Sequence, residues 1–180
     1  RICLKEPHIF RTQLRALLRA SVYGRLNIMF PMITQLEQVR QIKQMIAQLQ
    51  RELTAEKVPF RSDIQYGIMV ETPAAAVMSD VLAEEVDFFS IGTNDLTQYT
   101  MAADRMNAQV SDLFDPADPA VLRLIELTAK NAHAAGIWVG ICGESAANTA
   151  LTDFYMSVGI DELSVSPASV PAVKRAIIKC

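Results

Sequence analysis

Glu71, Asp95 and Cys142 each stand where an apolar run gives way to a polar turn, a placement from which side chains can bind a metal or move a proton. Glu71 follows Tyr66–Val70, and Asn94-Asp95 follow Val86–Ile91 across Gly92-Thr93. Two carboxylates on neighbouring strand ends repel each other unless a cation or a proton lies between them. Mg²⁺ is such a cation: it takes one or two carboxylates and completes its shell with water and substrate oxygens. Arg105 lies just beyond, and a guanidinium fork matches phosphate oxygens in pairs. Cys142 closes the run Ile137–Cys142, with Gly140 and Gly143 on either side of Ile141-Cys142. A thiol exposed there could donate a proton.

Each residue also has an ordinary reading. Glu71 could be a carboxylate favoured by a helix N-terminus. Asn94-Asp95 could be no more than a turn and a cap. Arg105 could form a surface ion pair with Asp104, and composition does not choose between that pair and phosphate. Cys142 could be a small buried hydrophobe. His8 and His133 are the only histidines, and neither follows a strand, so no catalytic or phosphorylated histidine is expected in this chain. Arg11, Arg15 and Arg19 share one helix face, read as solvated, and Trp138 is read as packing.

The elements that must carry these residues alternate. A helix is expected over 7–23 with Gly24 as its cap, then a strand over 26–32. Thr34 to Glu37 reads as a capping box ahead of a helix whose apolar stripe is Leu36, Val39, Ile42, Ile46, Leu49 and Leu53. Thr72-Pro73 opens a helix running to about Glu85, and a strand follows over 87–92. A short helix is expected near Asp95–Ala102, then loop, then a helix from Asp118-Pro119 to Ala135. After the strand 137–142 come helix 147–158, strand 162–165 and helix 169–178.

Five apolar strands, each followed by a helix, require a parallel sheet with covered faces. No Gly-x-Gly-x-x-Gly follows the first strand, which weighs against a dinucleotide fold. The chemically capable residues, Ser164 and Ser166 included, follow strand carboxyl ends, as in a (β/α)8 TIM-type barrel. Such a barrel needs about 250 residues. Five βα units are therefore an incomplete portion, with further strands expected before Arg1.

Bulk properties narrow the classes. The chain has 180 residues, 51% of them hydrophobic, and a net charge of −3, so a real core is expected and nucleic acid is a poor partner. No apolar run reaches the ~18 residues of a membrane span. Three cysteines far apart, with no signal peptide, point to a reducing, cytoplasmic home.

The segments GIMVETPAAA, VDFFSIGTNDLTQYTMAADR and GICGES resemble the phosphoenolpyruvate-utilising enzymes, most closely the enzyme I branch of the bacterial sugar phosphotransferase system. The similarity extends over the whole chain, LRALLRAS and IMFPMI included. It implies that residues 1–180 are part of a dimerising, C-terminal, phosphoenolpyruvate-binding barrel domain. It further implies Glu71 and Asp95 as Mg²⁺ ligands, Asn94, Asp95 and Arg105 as phosphoenolpyruvate contacts, and Cys142 as the proton donor. The implied partners are a separate phosphohistidine domain, a small histidine-containing phosphocarrier protein and a second copy of the chain. Pyruvate phosphate dikinase and phosphoenolpyruvate synthase share the same half-reaction, and the ending Ser166-Pro-Ala-Ser-Val-Pro171 is similar to the dikinase branch. A non-catalytic dimerisation or regulatory module is the alternative of another class. The chain departs from the family at Ser145-Ala146-Ala147-Asn148, where an Ala-Gly-Asp or Gly-Gly-Asp turn is usual.

Overall fold

Each apolar run becomes one strand of a single parallel sheet, because every connection is long enough to return a helix across its face. The computed structural model describes residues 1–180. Strands β1 (Asn27–Phe30), β2 (Gln65–Val70), β3 (Phe88–Gly92), β4 (Trp138–Cys142) and β5 (Glu162–Leu163) lie side by side in chain order. All four pairings are parallel, with Val70 level with Ile91, Gly92 level with Cys142, and Gly140 level with Glu162.

Period-two alternation sorts the strand residues onto two faces. One face carries Ile28, Phe30, Ile68, Val70, Phe89, Ile91, Val139 and Ile141, all buried. Helices cover it. In α3 (Leu36–Ala55) the buried stripe is Val39, Ile42, Ile46, Leu49 and Leu53, each contributing ~1.5–3 kcal/mol of gross burial. In α7 (Pro119–Ala134) the stripe is Val121, Ile125, Thr128, Ala129 and Ala132. The second face carries Met29, Met69, Ser90 and Cys142, all only half-buried, with Glu162 exposed. The strands are thus covered closely on one side rather than on both. Their second face mixes glycine, methionine and polar residues with the stacked aromatic pair Phe88 and Trp138, and the apolar reading of FFSI and WVGI passed over its polar part.

Several local expectations are corrected. A short α1 (Ile2–Lys5) precedes α2 (Pro7–Ala20), which ends in a 3₁₀ turn over Ser21–Tyr23. Gly24 there is extended, with φ 172°, and is no left-handed cap. The capping box of α3 joins Gln35 to Gln38 rather than Thr34 to Glu37, and the Gln38 side chain also accepts from the Thr34 N–H at 2.8 Å. The helix after Glu71 breaks at Met78 into α4 (Pro73–Val77) and α5 (Ser79–Ala83). Buried Ser79 donates to the Ala76 carbonyl at 2.7 Å, a bond that competes with the helical ladder. Residues 147–158 hold only α8 (Thr152–Ser157) as α-helix, because the Asn148 side chain caps a separate 3₁₀ turn by accepting from Ala150 N–H. The last helix, α9, is Val170–Ile177. The arginine row of α2 is not merely solvated: Arg11 binds both Glu52 oxygens at 2.7 and 2.8 Å, and Arg15 pairs with Glu56, tying α2 to α3.

Candidate active site

Parallel strands carry their carboxyl ends to one rim, and three of the sequence-derived residues meet there. Glu71 leaves the end of β2 and is only 3% exposed. Met32 N–H donates to its Oε1 at 2.6 Å. Asp95 stands in the first turn of α6 (Thr93–Met101), which begins directly after β3. Its carboxyl lies near enough to that of Glu71 to act on it. Burial holds the Glu71 carboxyl above its ordinary value; the Met32 N–H acts against this, and Asp95 reinforces it. Two acids facing each other with no basic side chain between them are a site short of positive charge.

The backbone makes this approach possible. Gly92 lies beside Glu71, and a Cβ on it would fall 2.9 Å from both Glu71 Cβ and Met69 Sδ. Any side chain there would displace the carboxylate.

Cys142 shares the same face, level with Gly92. Its thiol accepts from Ser90 Oγ at 3.1 Å and donates to the Ile91 carbonyl at 3.5 Å. Burial raises the thiol above its ordinary range, Ser90 lowers it, and the Glu71 charge raises it again. The sulfur therefore keeps its proton at neutral pH, as an acid must and a nucleophile must not. Neither of the two plain readings holds alone: Cys142 is half-buried, with its sulfur at the site.

The loops after β3 and β4 are locked together. Asn94 Oδ1 accepts from Glu144 N–H at 3.1 Å, and Thr93 Oγ1 donates to the Cys142 carbonyl at 3.2 Å. Gly143 makes this fit, with φ +107° and a would-be Cβ 2.6 Å from Thr93 Oγ1. The departures from the expected turn are mild in form. Ala147 has no positive φ, so glycine is not demanded there, and Asn148 caps as an aspartate would.

Arg105 is brought no closer. It is exposed in the turn after α6, its N–H donating to Gln98 Oε1 at 3.4 Å, and its guanidinium neither reaches the carboxylates nor pairs with Asp104. Asp104 instead accepts from Met106 N–H. Ser90 was missed by sequence reasoning. The signal was available: a lone polar residue inside an apolar strand, two positions before Gly92 on the same face.

No three His, Cys, Asp or Glu side chains converge on one point. Two carboxylates are nonetheless the donor set that suits Mg²⁺, since water and substrate oxygens supply the remaining ligands. A polar hollow of about 360 Å³ lined by Arg25, Arg61 and Asp63 lies at the opposite ends of the strands. There Asp63 is already held by Arg61 at 2.8 Å, so that hollow has less unsatisfied charge than the rim.

The family model described as "PEP-utilising enzyme, PEP-binding domain" matches residues 1–180. The chain belongs to the phosphoenolpyruvate-utilising enzyme family. It is 50% identical over 179 residues to a Bacillus subtilis protein named phosphoenolpyruvate-protein phosphotransferase, covering 99% of this chain and 31% of that one. A Geobacillus stearothermophilus protein of the same name is 54% identical over 179 residues, with the same two shares. The chain thus spans about a third of the length of these relatives. Among solved structures, a citrate lyase from Burkholderia xenovorans superposes with TM-score 0.67 at 22% identity, covering 93% of this chain and 53% of that one. That likeness concerns fold alone. With the five parallel βα units, it makes this member of the phosphoenolpyruvate-utilising family an incomplete (β/α)8 barrel.

Proposed function

We propose that the chain is part of the C-terminal barrel domain of a phosphoenolpyruvate-protein phosphotransferase, and that it holds the metal and proton-donor half of the substrate site. One observation carries this reading: Glu71 at the end of β2, Asp95 in the first turn after β3 and the Cys142 thiol at the end of β4 stand together at one rim. Mg²⁺, when bound, would neutralise charge on phosphate and carboxylate oxygens.

The remaining steps belong to the chain's own residues. Glu71 and Asp95 hold the cation, and Asn94 orients the loop that carries Asp95. Arg105 takes the phosphate once its exposed turn folds over substrate. The bond between phosphorus and the enol oxygen breaks, the phosphoryl group passes to a histidine nitrogen on a separate domain, and the electron pair stays with the enolate. The Cys142 S–H proton then goes to the methylene carbon, giving pyruvate, and solvent reprotonates the sulfur. In the whole protein the phosphoryl group would pass on to a small histidine-containing carrier, as the first step of sugar phosphotransferase transport. That protein would be cytoplasmic and dimeric through this domain. No helix is long and apolar enough to cross a membrane. Relatives of about half identity named phosphoenolpyruvate-protein phosphotransferase favour this reading over the dikinase.

Calorimetric titration of the longer protein with phosphoenolpyruvate, with and without Mg²⁺, tests the reading. Mg²⁺-dependent binding is expected; its absence, or equal binding without the metal, would favour the non-catalytic module. Labelled phosphoenolpyruvate should leave no acid-labile phosphate on His8 or His133. His133 lies against Asp161 at 3.3 Å, at the far end of the sheet from Cys142.

A further inference from the structure

Behind the Cys142 loop runs a line of buried hydroxyls that the reaction described above does not use. Tyr155 Oη, on α8, donates to Ser145 Oγ at 2.8 Å. Ser145 Oγ donates to Thr93 Oγ1 at 2.7 Å, and Thr93 Oγ1 donates to the Cys142 carbonyl at 3.2 Å. Tyr155 and Thr93 are 0% exposed and Ser145 is 4% exposed. Each middle hydroxyl accepts once and donates once, so the line has one direction and ends on the backbone of the thiol residue.

Tyrosine is a costly choice in such a place. Its oxygen needs a partner when buried, and it finds only Ser145. Phenylalanine would fill the same volume without that demand. The line also joins separate parts of the fold: α8, the loop after β4, and the first residue of α6, two positions before Asp95. Elsewhere on the same helices, the buried hydroxyls of Thr97 and Thr152 have no partner, so burial alone does not produce these bonds.

We infer that Tyr155, Ser145 and Thr93 are positioning residues that fix the Cys142 thiol relative to the Glu71–Asp95 pair. The assignment deepens the phosphoenolpyruvate reading and rests on it only for its purpose. Thr93 carries both constraints at once, since its side chain holds the Cys142 carbonyl while its backbone starts the helix that presents Asp95. Ser145 and Tyr155 act on it from outside and touch no substrate. Breaking any one link frees Thr93 to rotate, releases the Cys142 carbonyl, and lets water reach the sulfur. The charged groups facing that sulfur, Glu71 from the end of β2 and Glu162 from β5, remain in place. The change in the thiol would therefore come from hydration.

The test is the pH dependence of Cys142 alkylation by iodoacetamide, followed on the Cys142 peptide by mass spectrometry to separate it from Cys3 and Cys180. Wild type is compared with Tyr155→Phe, Ser145→Ala, their double variant and Ser145→Thr, all below their melting temperatures. In Tyr155→Phe and Ser145→Ala the profile should move to lower pH, and the rate at pH 7 should rise roughly three- to tenfold, because the thiolate is the reactive form. The double variant should move no further than either single one, and Ser145→Thr should behave as wild type. A purely structural line would lower the melting temperature and leave the folded chain's profile unchanged. An unmoved profile, or shifts that add in the double variant, would overturn the assignment. Failure of wild type to bind phosphoenolpyruvate with Mg²⁺ would instead sink the functional reading and leave the alkylation comparison standing.

Discussion

The two ends of the sheet treat their acids in opposite ways. At the N-terminal ends of the strands, Asp63, Asp87 and Asp161 each have a donor. Asp63 is held by Arg61, which lowers its carboxyl below the ordinary range. Asp87 accepts from Tyr66 N–H at 2.7 Å, and Asp161 accepts from Val139 N–H at 2.9 Å beside His133. At the carboxyl ends, Glu71 has one backbone donor and then meets a second acid. Satisfied charge at one end holds the strands in register; unsatisfied negative charge at the other is what a cation or a shared proton can resolve. Barrel folds divide their labour along this axis.

Four perturbations bear on that contrast. Asp95→Ala removes one acid of the unsatisfied pair. It should abolish Mg²⁺-dependent phosphoenolpyruvate binding in calorimetry while circular dichroism shows the fold intact. Loss of the fold instead would move Asp95 into the structural class. Cys142→Ala, in the longer protein proposed above, should slow pyruvate formation about 10²–10⁴-fold with substrate binding retained. Normal turnover with a lower melting temperature would make the thiol packing only.

At the satisfied end, Asp161→Ala strands the Val139 N–H and should cost about 1–2 kcal/mol in urea unfolding, without touching metal binding. A change in metal affinity would erase the distinction between the ends. The smallest effect concerns pH. Glu71 is held above its ordinary 4.5, so it is protonated more tightly folded than unfolded. Its contribution to stability is fully present below about pH 4.5 and is lost as pH rises through the higher folded value. Glu71→Gln keeps the acceptor for Met32 N–H but cannot ionise. It should be more stable than wild type near pH 7, with the gap closing towards pH 4.5. A constant gap would mean that Glu71 is not protonated preferentially in the folded chain.

The strand ends could be read from the sequence because they depend on local pattern. An apolar run stopped by Glu71, or by Gly-Thr-Asn-Asp, marks both an element and its rim. What escaped depended on distant partners. The break at Met78 comes from Ser79, which bonds the Ala76 carbonyl and accepts from Asn131, 52 residues on. The arginines of α2 looked solvated because Glu52 and Glu56 lie 41 residues away. Ser145 and Tyr155 gave no sign of their link, since nothing in a serine and a tyrosine ten residues apart requires them to meet Thr93. Arg105 shows the reverse limit: a family motif marks the residue, while the folded chain leaves its side chain in solvent.

The glycines of the half-buried face set how deep that face is. Phe88 and Trp138 lie on it too, at the N-terminal ends of their strands, with their rings stacked at 4.4 Å. A methyl group on Gly67 would collide with the Phe88 ring at 2.5 Å, and one on Gly140 would reach Glu162 Cβ at 3.2 Å. A methyl group on Gly92 would push on Glu71 itself. The depth of the bowl and the position of its acid are therefore set by the same missing atoms. Descendants of this chain could not grow side chains there without moving that acid. Their freedom to diversify lies in the length and composition of the loops above the rim.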